Sequence, residues 1–240
     1  MAIYKIADLN IKIDPKYSST LERLKPYLVS ENVFDIEIIN SDTEIADFAK
    51  TSSSLCTMEL AESFLILNKL CIEIFENFNG FFFHSSSLMI DNEAYVFTAK
   101  SGTGKSTHVS LWKNKFGDDV TIINDDKPAI RITGNEAFIY GTPWSGKTEL
   151  NINIKKPLKA IVFIERGSEN TITKTDIANS VLNLSRQLPN PFYDEDIGIK
   201  TIRIINRLFE IGVPVYTLKC SISEDAVKAV YEEIIGGEFS

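Results

Sequence analysis

Two segments of this chain carry residue types that could bind the phosphates of a nucleotide. Residues 141–148 read Gly-Thr-Pro-Trp-Ser-Gly-Lys-Thr and match the pattern G-x-x-x-x-G-K-[ST] at every position. Residues 99–106 read Ala-Lys-Ser-Gly-Thr-Gly-Lys-Ser and miss that pattern at the first position. In such loops backbone N–H groups surround phosphate oxygens, the lysine reaches the outer phosphates, and the hydroxyl after it binds Mg²⁺. Each segment is therefore a candidate for phosphoryl chemistry.

The residues around the two segments favour the earlier one, because the mechanism needs a strand before the loop and a helix after it. Residues 94–98 are a β-rich apolar run, and apolar side chains recur at helical spacing over residues 109–116. The later segment contains Pro143, which has no N–H to donate, and the apolar residues at 150–154 alternate as in a strand. We therefore expect Lys105, and not Lys147, to bind phosphate.

A pair of aspartates, Asp125 and Asp126, follows the next expected strand about twenty residues beyond Lys105. Carboxylates at the carboxyl end of such a strand are placed to hold Mg²⁺ or to accept a proton. One aspartate could complete the metal's coordination shell while the other acts as a general base. The alternative is a simple turn, which is how we interpret Asp118 and Asp119.

Three further residues could take part in the chemistry. His84 ends an apolar run and precedes three serines, so it does not lie on an alternating core face, whereas His108 falls in the first turn of the helix after the loop. In the later segment the proline, Trp144 and Lys147 would suit a loop that positions an acceptor group near a γ-phosphate. That segment could also be a plain turn between strands.

Bulk composition limits the class of protein. The 240 residues suit one large domain or a domain with a small appendage, and 44% hydrophobic content is ordinary for a globular chain. A net charge of −8 argues against nucleic acid or an anionic membrane as the main partner. Cys56, Cys71 and Cys220 lie far apart, without metal-ligand spacing, and indicate buried thiols. Since no apolar signal segment begins the chain, we expect a cytoplasmic protein.

Hydrophobic patterns predict a mixture of strands and helices. Residues 1–50 read as short strands, and a helix follows whose apolar face is Leu60, Phe64, Leu67, Cys71, Ile74 and Phe78. Further strands are expected at residues 81–90, 94–98, 120–123, 129–132, 137–140, 158–164 and 213–218. Further helices are expected from residue 105, around residues 177–188 and 202–209, and after Ser223. Because hairpin-like strands mix with a few crossovers, we expect an α/β fold with a mixed sheet.

A polar break at residues 51–54 suggests a division of the chain. We expect residues 1–50 to form an N-terminal β-rich subdomain or extension within the same globule. Residues 51–240 would then form the core that carries the phosphate loop.

The motifs together resemble those of a known family. They are Ser-Gly-Thr-Gly-Lys-Ser-Thr-His at residues 101–108, Asn-Asp-Asp at 124–126, Gly-Thr-Pro-Trp at 141–144, and a histidine before the loop. This set resembles the HPr kinase/phosphorylase-like proteins, which share a nucleotide-binding core with phosphoenolpyruvate carboxykinase. It is most similar to small kinase-like members found with peptide-modification clusters, including kinases of lasso-peptide precursors. The resemblance covers residues 80–165 and implies a mixed-sheet P-loop core with flanking helices.

The resemblance also implies a role for each motif residue. The phosphates of ATP would be bound by Ser101, Gly102, Thr103, Gly104, Lys105, Ser106 and Thr107. Ser106 and Asp125 would hold Mg²⁺, Asp126 would act as acid/base, and His84 would assist catalysis. Pro-Trp-Ser-Gly-Lys at residues 143–147 stands about where the classical HPr kinases carry Glu-Ile-Arg-Gly-Leu-Gly. The resemblance therefore does not point to HPr itself as the acceptor.

These features predict an ATP- and Mg²⁺-dependent kinase that phosphorylates a serine or another hydroxyl of a peptide or small protein. One alternative is a phosphoenolpyruvate carboxykinase-like lyase, for which the chain is short and lacks an identifiable oxaloacetate-binding set. The other is a nucleotide-binding module without catalysis, against which His84, Asp125 and Asp126 together count. The sequence does not identify the acceptor. Reverse phosphorolysis and assembly into a homo-oligomer are both compatible with it.

Overall fold

The computed structural model describes residues 1–188, 195–236 and 239. The N-terminal elements are β1 (Ala2–Ile6), β2 (Leu9–Ile13), α1 (Ser18–Leu24), β3 (Leu28–Val29), β4 (Ile36–Ile38), α2 (Asp42–Ser52) and α3 (Met58–Asn77). The four strands form a sheet in the order β3-β1-β2-β4. Its apolar side chains pack with α3 in one core cluster, which also takes in Phe82, Ala129, Tyr140 and Trp144. The division of the chain at residue 50 stays a prediction.

Two features of this N-terminal region differ from the sequence-based expectation. Helices α1 and α2 lie where only short strands were expected. Ser41 and Glu44 form a reciprocal capping box at the start of α2, which shows why a helix begins there. The expected apolar face of α3 is also wrong at its beginning, because Leu60 and Phe64 are exposed and Ala61 and Ile66 are buried instead.

The remaining elements build the larger sheet and its helices. They are β5 (Gly80–Phe82), β6 (Ser86–Ile90), β7 (Glu93–Thr98), α4 (Lys105–Phe116), β8 (Thr121–Asn124), β9 (Ala129–Thr133), β10 (Glu136–Tyr140), β11 (Lys155–Arg166), β12 (Thr171–Lys174), α5 (Ile177–Ser185), α6 (Glu195–Glu210), β13 (Val215–Cys220) and α7 (Glu224–Val230). A short π-helical segment, Tyr231–Ile235, continues α7.

The larger sheet is mixed, as the sequence predicts. Its order is β5-β9-β10-β11-β7-β6-β8, with β13 pairing both β11 and β12. β11 runs parallel to β7 and β13, whereas the other pairs are antiparallel. The expected α/β class with a mixed sheet and flanking helices is confirmed.

Helices cover both faces of this sheet because the side chains of its central strands alternate between two cores. Val96 and Ile161 point into the core that contains α5 and α6. Phe97 and Val162 point into the core that contains α4 and α7. Within the described part of the chain, no helix combines the length and apolarity that a membrane span requires.

Two breaks in the expected strands shape the site. The strand expected over residues 81–90 is interrupted between β5 and β6, and His84 lies in the interruption. The strand expected at residues 150–154 is wrong, since only Asn151 makes an isolated bridge, to Asn124, and β11 begins at Lys155. The chain between β10 and β11 is therefore a loop that passes beside the end of β8.

Candidate active site

The earlier of the two candidate loops has the geometry of a phosphate loop. It connects β7 to α4, and its two glycines lie in the left-handed region, with φ of 74° at Gly102 and 118° at Gly104. The N–H of Thr103 donates to the carbonyl of Lys100 at 3.1 Å, which closes the turn. No acidic residue lies in the first turn of α4. The positive end of the helix dipole is therefore free to attract an anion.

A guanidinium fixes this loop from the neighbouring strand. Arg166, the last residue of β11, donates to the carbonyl of Gly102 at 2.8 Å. This hydrogen bond attaches the loop to β11, a strand that is not part of the turn itself. Sequence reasoning did not identify Arg166, because β11 is distant in sequence and joins β7 only through the sheet.

The turn that carries the two aspartates is built by Asn124, the last residue of β8. Its buried side-chain oxygen accepts from the N–H groups of Asp126 and Lys127, both at 2.9 Å. Its amide nitrogen donates to the carbonyl of Thr142 at 2.9 Å. Because both ends of the Asn124 amide are engaged, the turn and the loop after β10 hold each other in place.

Asp125 is buried, with 7% of its surface exposed, and its Oδ1 accepts a hydrogen bond from Oγ of Ser86 at 2.6 Å. Among the described residues there is no group of three or more His, Cys, Asp or Glu side chains that could hold a metal alone. Mg²⁺ at kinase-type sites needs only one or two carboxylates, together with substrate phosphates and water. Asp125 and the part-exposed Ser106 carry oxygen atoms of the kind that such a site uses.

His84 and Asp126 meet beside the loop. Nε2 of His84 lies 3.4 Å from Oδ1 of Asp126. The carbonyl of His84 accepts from Thr98, the last residue of β7, at 2.9 Å. The N–H of Ser85 donates to the carbonyl of Asp126 at 3.1 Å. The β5–β6 break, the aspartate turn and the start of the phosphate loop are thus directly connected.

The charges of this cluster act on one another. Burial lowers the pKa of His84 to about 4, and Lys127 and Lys105 act in the same direction against the opposing charge of Asp126. The imidazole is therefore neutral at neutral pH. Burial also lowers the pKa of Lys105, with Lys127 adding to the effect, while Asp126 and Asp125 oppose it. Lys105 thus shares one electrostatic environment with both aspartates.

The later candidate segment borders this site without forming a phosphate loop. The backbone of Gly146 lies against Asp126, since a Cβ added to the glycine would stand 3.1 Å from the aspartate's own Cβ. The carbonyl of Trp144 accepts from the N–H of Lys127 at 3.1 Å. Lys147 is exposed, and the residues directly after it form a turn instead of a helix. The role of this loop in acceptor binding stays a prediction.

The expectation that Trp144 contacts the acceptor needs correcting, because its ring is buried and not available to an acceptor. It is 5% exposed and packs edge-on against Phe82, with the ring centroids 5.8 Å apart. Its indole N–H donates to Ser63 of α3, at 3.2 Å to the hydroxyl. The ring of Trp144, expected from sequence to help position an acceptor, is therefore turned into the core that α3 shares with the N-terminal sheet.

We expect Trp144→Ala to destabilise the protein by about 3–5 kcal/mol, because it leaves a cavity and removes the indole hydrogen bond. Urea denaturation followed by circular dichroism measures the change. Lys147→Ala, at an exposed position of the same loop, is the control and should change stability by no more than about 0.5 kcal/mol. Equal stability of the two variants would show that the tryptophan does not anchor the loop.

His108 is also structural. It is buried against Phe97, and its Nε2 accepts from the indole N–H of Trp112 at 3.0 Å. His108 also contributes to the wall of the cavity that lies beside the phosphate loop.

A cavity of about 190 Å³ opens beside the phosphate loop. Its walls include the apolar residues Leu111, Ile164 and Ile222 and the polar residues His108, Glu165 and Arg166, beside Thr103 and Gly104. It adjoins the start of α4 and is mainly apolar, so it could receive the flat ring of a nucleoside next to bound phosphates.

Comparison with known proteins gives a limited result. No protein-family model matches the chain. No curated protein sequence matches it either. Among solved structures, the chain is similar to the HPr(Ser) kinase/phosphatase from Coxiella burnetii, with 10% sequence identity and a TM-score of 0.37. The match covers 64% of this chain and 96% of the other. A similarity this low assigns no activity.

Proposed function

We propose that this protein is an ATP- and Mg²⁺-dependent kinase that transfers the γ-phosphoryl group to a serine or other hydroxyl of a peptide or small protein. The observation that carries the proposal is the convergence of a strand–loop–helix phosphate loop with the pair formed by His84 and Asp126. A loop that binds phosphates and a carboxylate that could take a proton adjoin the same short stretch of sheet.

Each side chain then has a definite task. Backbone N–H groups of the loop and the ammonium of Lys105 bind the phosphates, and Ser106 and Asp125 would hold the metal. Bound Mg²⁺ would supply charge neutralisation of the phosphates. Asp126 accepts the proton of the acceptor hydroxyl. Neutral His84 orients the carboxylate of Asp126 through the 3.4 Å contact.

The nucleoside would occupy the apolar cavity beside Gly104, whose wall includes Ile222. The acceptor would approach from the other side of Asp126, along the loop that contains Gly146 and Lys147. The backbone of Gly146 lies against Asp126, so this loop borders the carboxylate that would take the proton.

The two alternatives predict different chemistry. A carboxykinase-like lyase would need an oxaloacetate-binding set, and none is identifiable in this short chain. A binding module without catalysis would not require His84 against Asp126. The position of His84 therefore supports the kinase over the module.

The direct experiment is incubation with γ-labelled ATP, Mg²⁺ and a panel of serine-containing peptides, including those encoded beside the gene. We expect label to move to a peptide hydroxyl. Transfer that depends on oxaloacetate would indicate the lyase instead. Tight ATP binding with no transfer to peptide or water would indicate the module. Competition by tripolyphosphate tests the nucleoside pocket, because this compound carries the phosphates without a nucleoside. Weaker binding of tripolyphosphate than of ATP would support the pocket.

A further inference from the structure

Lys127 is a second cation at the site, and no motif of the phosphate loop includes it. It directly follows the two aspartates, and its Nζ lies 3.9 Å from Oδ1 of Asp126. Its side chain is 29% exposed. Together with Lys105 it gives the site two lysines that act on the same carboxylate and on His84.

The backbone of Lys127 is held on three sides. Its N–H donates to Oδ1 of Asn124 at 2.9 Å and to the carbonyl of Trp144 at 3.1 Å. Its carbonyl accepts from the hydroxyl of Thr142 at 2.6 Å. These bonds fix the backbone position from which the Lys127 side chain reaches Asp126.

The ammonium of Lys127 lies farther from the Asp126 carboxylate than it would in a hydrogen-bonded ion pair. Several other lysines of this protein reach their carboxylates at shorter distances, as Lys12 does with Glu37 at 2.7 Å, although Lys228 and Glu232 are 3.8 Å apart. At 3.9 Å from Asp126, the ammonium of Lys127 keeps hydrogen-bonding capacity for another anion. The phosphate loop would place such an anion nearby, because it follows Thr98, which donates to the carbonyl of His84, and the ring of His84 contacts Asp126.

We propose that Lys127 contacts the phosphoryl group during transfer, on the acceptor side opposite Lys105. This inference rests on the proposed kinase function. In the step, the bond between the γ-phosphorus and its bridging oxygen breaks and a bond to the acceptor oxygen forms. The acceptor proton passes to Asp126, and ADP leaves with the electron pair of the broken bond. Lys127 is a fixed positive charge for the equatorial oxygens, where charge is greatest in the transition state.

The test is equilibrium binding, so it needs no known acceptor. Calorimetry would compare Mg²⁺-ADP alone with Mg²⁺-ADP plus aluminium and fluoride, which together mimic the transferring phosphoryl group. We expect the wild type to bind ADP more tightly when the mimic is present. Lys127→Met should lose about tenfold or more of that gain, while its affinity for Mg²⁺-ADP alone changes by less than about threefold.

Three further variants keep the result decisive. Lys127→Gln replaces Lys127→Met if the latter does not fold, and Lys127→Arg should restore most of the gain because it keeps the charge. Lys12→Met is the control, since Lys12 is also 29% exposed and ion-paired but belongs to the N-terminal sheet. A full gain in the neutral Lys127 variants would overturn this inference alone. Absence of ADP binding in the wild type would overturn the kinase proposal as well.

Discussion

Replacing Lys105 by alanine is expected to reduce phosphoryl transfer by about 10³-fold or more and to weaken ATP binding. Lys147→Ala is expected to leave ATP affinity nearly unchanged. The difference follows from where the two lysines lie. Lys105 begins a helix after a loop with two glycines in the left-handed region, whereas Lys147 is exposed in a segment that no helix follows.

The surroundings of Lys105 explain the size of the expected effect. Burial and neighbouring charges act on its ammonium, including those of Asp125 and Asp126. A cation held in a partly desolvated site stabilises developing charge more than one in water does. Removal of the Lys105 ammonium also leaves the negative charges of Asp125 and Asp126 without this cation, so the two carboxylates would repel bound phosphates more strongly.

Calorimetric titration with Mg²⁺-ATP and single-turnover transfer from labelled ATP test both variants. Circular dichroism first establishes that each is folded. If Lys147→Ala loses ATP affinity and Lys105→Ala keeps it, the phosphate loop has been assigned to the wrong segment.

The sequence predicted most strands of the larger sheet because their signals are local. A β-rich run before the loop and helical spacing after it correctly predicted β7 and α4, even though Ala99 departs from the pattern. The position of Asp125 and Asp126 directly after β8 was predicted in the same way. These inferences depend on residues close together in the chain, where hydrophobic periodicity and the residue types of the loop are decisive.

What the sequence did not predict depends on distant pairing. His84 reaches Asp126 because β6 pairs with both β7 and β8, which a single sequence does not show. Trp144 looked like a surface residue of a loop, but α3 and Phe82 enclose it. The capping box at Ser41 was, by contrast, a readable signal for the missed helix α2.

Asp126→Asn is expected to preserve Mg²⁺-ATP binding and to reduce the rate of transfer by about 10²-fold or more, because an amide cannot accept the proton of the acceptor hydroxyl. The substitution keeps the shape of the side chain, so the turn built by Asn124 and the approach of Gly146 should persist. Asp125→Asn should act differently and raise the Mg²⁺ concentration needed for transfer, since Asp125 is assigned to the metal.

The control for Asp126→Asn is Asp118→Asn, which removes an equal charge from a fully exposed turn before β8. Single-turnover measurements at saturating Mg²⁺-ATP separate the transfer step from nucleotide binding. A general base contributes only while a proton is being moved, so its loss should lower the rate constant for transfer and leave the affinity for ATP intact. Near-normal transfer by folded Asp126→Asn would remove this carboxylate from the mechanism, and His84 would then have no acid–base partner in the described site.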